Sequence, residues 1–380
     1  MKRSLVLLAC SLTACTTAAD KGGEAVDTGI ITTADDPETG DGDGGTSEGD
    51  QGEGDGDGDP GGDGDGEDAG DGTKFDLSPF PDGGGENNGG CQVPQHSACD
   101  GSSNDPWHAM GINCPNELQF TTAFTGNAQQ LYVHTGQLGT YNPATYPTLE
   151  GDKMVILSSG IANEMISAGD QFASTAINNA WEETPLPAPL NMNSVHPTDT
   201  CTDNPNLVGT GDCSNTLQTQ WDQGYGAWDY AELRLSGTVP EGASGFEYHL
   251  AFFSTEYPGY YQTSYNDMYV AWLESELWTG NVSFDEMGNP ISLNAGFLDY
   301  KDAPNPYDCP GCTAPELQGT AMETHAGTKW LTTTAGVVPG ESVTIVWAIW
   351  DLSDEVLDSV VILDDFGWNC EGGPPVTIPG

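Results

Sequence analysis

Basic side chains are almost missing. The chain carries eight Lys and Arg in 380 residues against 58 Asp and Glu, a formal net charge of −50. Affinity for nucleic acid comes mostly from Lys and Arg neutralising phosphates, so this composition argues against a nucleic-acid partner. Anionic membrane surfaces are repelled for the same reason. Long apolar runs are missing too, so no stretch beyond the first fifteen residues is expected to span a bilayer as a helix. The six histidines are scattered, and none stands in an H-E-x-x-H arrangement, which removes sequence support for a zinc protease. No G-x-S-x-G elbow follows an apolar strand, as a serine hydrolase of the α/β class would need.

What is present is acid, glycine, aromatic rings and cysteine. Twenty-two of the acids lie between Asp20 and Gly90, and Cys91 to Gly380 keeps 36 acids against Lys153, Arg234, Lys301 and Lys329. A chain of this kind attracts divalent cations, or suits a salty medium in which self-repulsion is screened.

The first residues read as a targeting segment. Lys2 and Arg3 precede a short apolar stretch, Ser4 to Thr13, that ends in Leu12-Thr13-Ala14-Cys15. This ending resembles a bacterial lipobox, which implies lipidation of Cys15 and cleavage before it. Leu7-Leu8-Ala9-Cys10 fits the same pattern but leaves too little apolar sequence ahead of it. Thr16, rather than Asp, follows Cys15, and by analogy with lipoprotein sorting this points to the outer membrane. Residues 1–15 are thus expected to be signal and anchor, with the lipid at Cys15 as the membrane contact.

Residues 16–90 are expected to be a disordered acidic tether. The segment "GDGDGDPGGDGDGEDAGDG" from Gly54 to Gly72 is its extreme. It cannot bury enough apolar surface to offset its chain entropy, and like charges extend it. Asp55, Asp57 and Asp59 alternate as in an EF-hand loop. That loop also needs Gly at its sixth position and Glu at its twelfth, where this chain has Pro60 and Gly66.

Residues 91–380 read as an all-β domain of the sandwich or jelly-roll kind, with loop insertions and little helix. Short apolar or alternating runs recur between Gly, Pro, Asn and Asp: Gln130 to Leu138, Lys153 to Gly160, Tyr230 to Val239, Met268 to Ser275, Ser342 to Trp350 and Ser359 to Phe366. In "FEYHLAFFS", Phe246, Tyr248, Leu250 and Phe252 should share a face. Asp105 to Ile112 suggests a helical turn, and Met165 to Trp181 a longer helix interrupted at Gly169. Two polar, Pro-rich stretches, around Cys201 and Cys213 and around Cys309 and Cys312, look like surface insertions. Each of those cysteine pairs is expected to close a local disulfide. Cys91, Cys99, Cys114 and Cys370 allow three pairings, and joining Cys370 to any of the others would tie the ends of the domain together.

The order of these runs from Gly111 to Trp368 resembles the bacterial choice-of-anchor L domain, and the lipobox followed by a Gly-Asp tether resembles myxobacterial surface lipoproteins. The central signature stands here as Ser254-Thr255-Glu256-Tyr257-Pro258 and Tyr265-Asn266-Asp267-Met268-Tyr269. The closing signature is Asp351, Asp354, Asp358, Ser359 and Val361. The resemblance implies a β-rich domain displayed at the cell surface. Thr255 stands where the family pattern has a second carboxylate.

Both signatures place acids at strand ends. Calcium takes six to eight oxygens from carboxylates, Asn side chains, carbonyls and water. Glu256, Asn266, Asp267, Asp351, Asp354 and Asp358 are therefore the expected ligands of a calcium site, with Asp364 and Asp365 nearby in sequence. Tyr257, Tyr260, Tyr261 and Tyr265 crowd the Gly/Pro loop between the first two signatures, where exposed rings could stack on sugar or anchor a protein partner. No set of residues stands out as catalytic. The expectation is a calcium-stabilised binding or adhesion module for polysaccharide or a surface protein. A purely structural envelope lipoprotein is the alternative, and a secreted hydrolase the third reading.

Overall fold

The computed structural model of the protein describes residues 91–168, 186–190, 217, 221, 224, 226–295 and 315–380. The expected disulfides Cys201–Cys213 and Cys309–Cys312, the lipidation site Cys15 and the tether all lie outside the described residues. So does most of the helix expected from Met165 to Trp181. Ahead of it the chain makes only a 3-10 turn at Ala162–Glu164.

The described residues are nearly all strand or loop. Asp105 caps the single turn of helix α1 (Pro106–Ala109), its carboxylate accepting from the Trp107 amide at 2.9 Å, with Pro106 at the first position where no amide is needed. The strands are β1 (Thr121–Thr125), β2 (Leu131–Thr135), β3 (Lys153–Ser158), β4 (Ala227–Thr238), β5 (Gly245–Ser254), β6 (Met268–Glu274), β7 (Thr279–Asn281), β8 (Ile291–Ser292), β9 (Ala326–Gly327), β10 (Leu331–Gly336), β11 (Ser342–Leu352), β12 (Ser359–Asn369) and β13 (Val376–Pro379). They form two antiparallel sheets packed face to face. One runs β1-β4-β11-β6-β7 with β8 beside β6, and the other runs β13-β10-β5-β12-β3-β2 with β9 beside β5. β4, β5 and β6 alternate between the sheets, as do β10, β11 and β12. The all-β sandwich expected from the sequence is the fold observed.

Period-two burial builds the core. Phe246, Tyr248, Leu250 and Phe252 of β5 point into it as expected, opposite Ile345, Trp347 and Ile349 of β11 and Tyr269 and Ala271 of β6. The central strands are covered on their outer faces as well. Met154, Ile156, Ala251, Phe253, Val360 and Ile362 pack under Tyr146, Leu317, Met322 and Trp330. Val270, Trp272, Val346, Ala348 and Trp350 pack under Leu186, Leu190, Leu217 and Trp221. This double burial explains why "MYVAWL" and "IVWAIW" are continuous apolar runs rather than alternating ones. A chain of hydroxyls also crosses the interior. Tyr269 donates to Tyr248 at 3.2 Å, Tyr248 meets Ser283, and Ser283, Thr333 and Thr377 follow at 2.9 Å each.

Two disulfides are formed among the described residues. Cys91 is joined to Cys370 and Cys99 to Cys114. The first ties the two ends of the domain across 279 residues of sequence, settling the pairing that the sequence leaves open.

Candidate metal centre

The chain crosses from one sheet to the other twice at the same end of the sandwich. β5 ends at Ser254, paired with Ser359 at the start of β12, and the loop after it enters β6. β11 ends beside the start of β4, with a register shift between Ile349 and Asp351, and the loop after it enters β12. The end of β3 lies alongside, Ser158 opposite Val360. Both sequence signatures therefore meet at this end.

Four of the six expected ligand positions bring buried carboxylates there: Glu256 and Asp358 at 2% exposure, and Asp267 and Asp351 at 1%. Asp267 is held from two sides, one oxygen accepting from the Leu352 amide at 3.0 Å and the other from the Ser359 hydroxyl at 2.7 Å. The backbone carbonyl of Asp358 accepts from the amide and the hydroxyl of Thr255, tying the two crossing loops together. The Asp358 carboxylate lies against Gly160, where any Cβ would overlap it. Neither carboxylate oxygen of Asp351 has a hydrogen bond of normal geometry, and Oε2 of Glu256 has none either. Among the described residues no Lys, Arg or His forms a salt bridge with Glu256, Asp267 or Asp351.

Asn266 and Asp354 behave differently. Asn266 is buried, and its side-chain oxygen accepts from the Asn294 amide at 2.9 Å. Asn294 in turn accepts from the Gln262 amide at 2.6 Å, and Ser353 donates to the Ser264 carbonyl at 2.8 Å. Side-chain hydrogen bonds thus hold the β5–β6 loop. Asp354 sits half-buried at the rim and accepts from the Val356 amide at 3.0 Å. Asp364 and Asp365 belong elsewhere, farther along β12. Asp364 accepts from the Leu149 amide at 2.8 Å, and burial pushes its carboxyl up to about 8.

Burial raises the carboxyl pKa at every member of the cluster whose shift is resolved. Glu256 is pushed up by burial first, then by the charges of Asp267 and Asp354. Asp267 is pushed up by burial, against the hydrogen bonds from Ser359 and Leu352. Asp351 stands well above the carboxylate range through burial and the charges of Asp267, Asp358 and Asp229, with the nearby Ser159 hydroxyl offsetting a part. Without a counter-ion these groups hold protons that surface carboxylates release.

Asp229 is the member that the sequence reading missed. It is fully buried in β4 with φ +47°. Its signal was an acid inside an aromatic strand run, Trp228-Asp229-Tyr230, and a surface-facing position was an equally good reading of it. The carboxylates are not drawn around one point. The group of three among the described residues whose ligand atoms all come within 4.8 Å of one another is instead His96, Cys114 and Glu117. Cys114 is locked in a disulfide there, so its sulfur is not a thiolate ligand.

The tyrosines divide. Tyr257 is 5% exposed and packs edge-on against Tyr261, beside Leu293 and Ala326, which corrects its expected place on a contact surface. The ring lies in the turn beyond β5, where Leu293 and Ala326 cover it. Tyr260 is 41% exposed and meets Tyr265 edge-on at 5.3 Å, while Tyr261 and Tyr265 are half-buried.

Comparison with protein-family models, curated proteins and solved structures finds no match.

Proposed function

We propose that this chain is a surface lipoprotein whose β-sandwich is a binding module stiffened by calcium at its acidic end. The observation that carries the reading is Asp351, a carboxylate at 1% exposure that has no basic side chain beside it among the described residues. It is set among the charges of Asp267, Asp358 and Asp229 with only the Ser159 hydroxyl and Asp267 as polar company. Burying such a group without a cation is costly, and hard oxygen donors in this number suit calcium. The loop above the cluster offers Tyr260, Tyr261 and Tyr265 to a polysaccharide or surface-protein partner. The choice-of-anchor L signatures and the lipobox at Cys15 support display from the outer membrane. The hydrolase reading is disfavoured because carboxylates at 1–2% exposure are out of a substrate's reach.

Thermal unfolding tests it. A ligand bound only by the native state stabilises it by roughly 2.7 kcal/mol at a hundred times its Kd, which is several degrees in Tm for a domain of this size. EDTA should lower Tm by that amount, and calcium should restore it better than magnesium, which gives up its water reluctantly. Asp351→Asn should abolish the calcium response yet melt no lower than wild type in EDTA, since it removes a buried unpaired acid. Equal Tm values for wild type in calcium and in EDTA would sink the proposal. A calcium response with no binding across a glycan array and a panel of cell surfaces would leave the structural-envelope reading instead.

A further inference from the structure

At the opposite end of β12 from the acidic loops lies a cavity of about 300 Å³, the size of a small-molecule site. The stretch after Cys91, the loop between α1 and β1 and the last residues of β12 wall it. One side is apolar. The Phe120 and Trp368 rings lie 5.7 Å apart at 33°, and Phe366 stands edge-on to Trp368 at 5.5 Å. Val93 and Leu118, 40% and 43% exposed, edge the opening.

The other side is ionic. His96 and Glu117 line it, and Glu150 stands behind them on the second ring nitrogen of His96. Gly111, at φ +77°, also lines the cavity, and a Cβ there would collide with both Glu150 and His96. Two ionised carboxylates against one imidazole leave the cluster negative even with the ring protonated. Oε2 of Glu150 is buried and receives no hydrogen bond, so the excess charge is not taken up within the fold. No Lys or Arg lines the cavity.

These two sides select a ligand by charge. An anion is repelled by the two glutamates and by a chain of net charge −50, which concentrates cations at its surface. Aromatic faces attract a cation through their quadrupole. A neutral apolar molecule would use the rings and leave the carboxylates idle. We propose that this cavity binds a small organic ammonium ion, its apolar body against Phe120 and Trp368 and its N–H groups directed to Glu117. Glu117 has the capacity. Oε1 accepts from the Ser97 amide at 3.1 Å and Oε2 from His96 at 2.7 Å, and each oxygen keeps a lone pair for the ligand. The cavity is separate from the acidic end, and its occupation does not depend on calcium.

Calorimetric titration of the full chain in EDTA with three probes of one size tests this: phenethylamine as the cation, 2-phenylethanol as its neutral counterpart and phenylacetate as the anion. Salt at 0.15 M screens the diffuse attraction of the Gly-Asp tether. Phenethylamine should bind saturably at one per chain, the alcohol at least tenfold more weakly and phenylacetate not at all. Glu117→Gln should bring the amine to within a few-fold of the alcohol. Gly367→Leu should weaken both, because Gly367 lines the cavity and a Cβ there meets nothing within 4 Å. Equal affinity for amine and alcohol, or no binding of any probe, overturns the proposal. So does amine binding that both variants leave unchanged, which would place the cation elsewhere on the acidic surface. The three probes on wild type, and Gly367→Leu, decide the matter even if Glu117→Gln fails to fold, and circular dichroism of each variant separates a lost site from a lost fold.

Discussion

His96 has a carboxylate on each ring nitrogen, Glu117 on Nδ1 at 2.7 Å and Glu150 on Nε2. A neutral imidazole has one N–H to give, so with both glutamates ionised the two contacts are both hydrogen bonds only when the ring is protonated. Burial pulls the ring's pKa down, but the bond to Glu117 and the charge of Glu150 outweigh it and hold the pKa above the ordinary histidine value. Glu150 is itself raised by burial, with His96 pulling it back and Asp365 and Asp100 adding to the rise. A histidine raised in the folded state contributes stability that is complete below its unfolded pKa of about 6.5 and lost as pH rises through the folded value. The expected size for this half-exposed cluster is about 1 kcal/mol. In EDTA, the wild type should therefore lose more Tm between pH 6 and pH 8.5 than His96→Gln does. Parallel pH profiles for the two proteins would show that the ring is neutral in the fold.

At the scale of elements, the strongest sequence signals came from strands buried on both faces. β6, β11 and β12 were legible because their apolar runs have no polar partner face to interrupt them. β10, "LTTTAG", was not, because Thr333 reads as a surface residue until its hydroxyl is seen bonded to Ser283 and Thr377 inside the sandwich. β13 was missed for its length and its exposed Val376 and Ile378. The Pro-rich insertion ahead of β4 looked wholly superficial, yet Leu186, Leu190 and Leu217 are buried against β11 and β6. Isolated leucines in a polar stretch carry no period, so their burial is set by the sheet they cover. In the candidate site, acids beside strand ends were legible as a group. Which of them are buried was not, because that depends on two crossovers meeting at one end.

The disulfide between Cys91 and Cys370 is an element-scale constraint whose worth follows from the 279 residues it encloses. Chain-entropy arguments put such a long loop above the usual range, at about 5.6 kcal/mol. Cys91→Ala with Cys370→Ala should lower the urea midpoint accordingly and steepen the slope, because the unlinked denatured chain exposes more surface. An unchanged midpoint would mean that the Gln92–Gly242 backbone bond at 2.9 Å and its neighbours hold that end unaided.

At the scale of the whole molecule, charge dominates. The chain from Cys91 onward has 36 acids against four bases, and compacting such a charge works against itself. In EDTA, Tm should climb by several degrees between 0.05 and 0.5 M NaCl as the Debye length shrinks from about 14 to about 4 Å. With saturating calcium the climb should be smaller, because the most tightly packed carboxylates are already neutralised. A salt response that is the same with and without calcium would place the repulsion on the open surface instead.

The two ends of β12 have different attachments. Its first residue, Ser359, pairs with Ser254 below the tyrosine loop, and its last, Asn369, pairs with Gly245 next to the bond between Cys370 and Cys91. Eleven strand residues, roughly 35 Å, separate them. A pull at Cys91 therefore reaches β12 at its C-terminal end, while a pull on Tyr260 reaches β5 at its own C-terminal end, at the opposite pole. The two strands are antiparallel neighbours, so tension between these points slides one along the other. Every rung of the ladder between them resists that sliding at once, and the sandwich is loaded in shear rather than unzipped rung by rung.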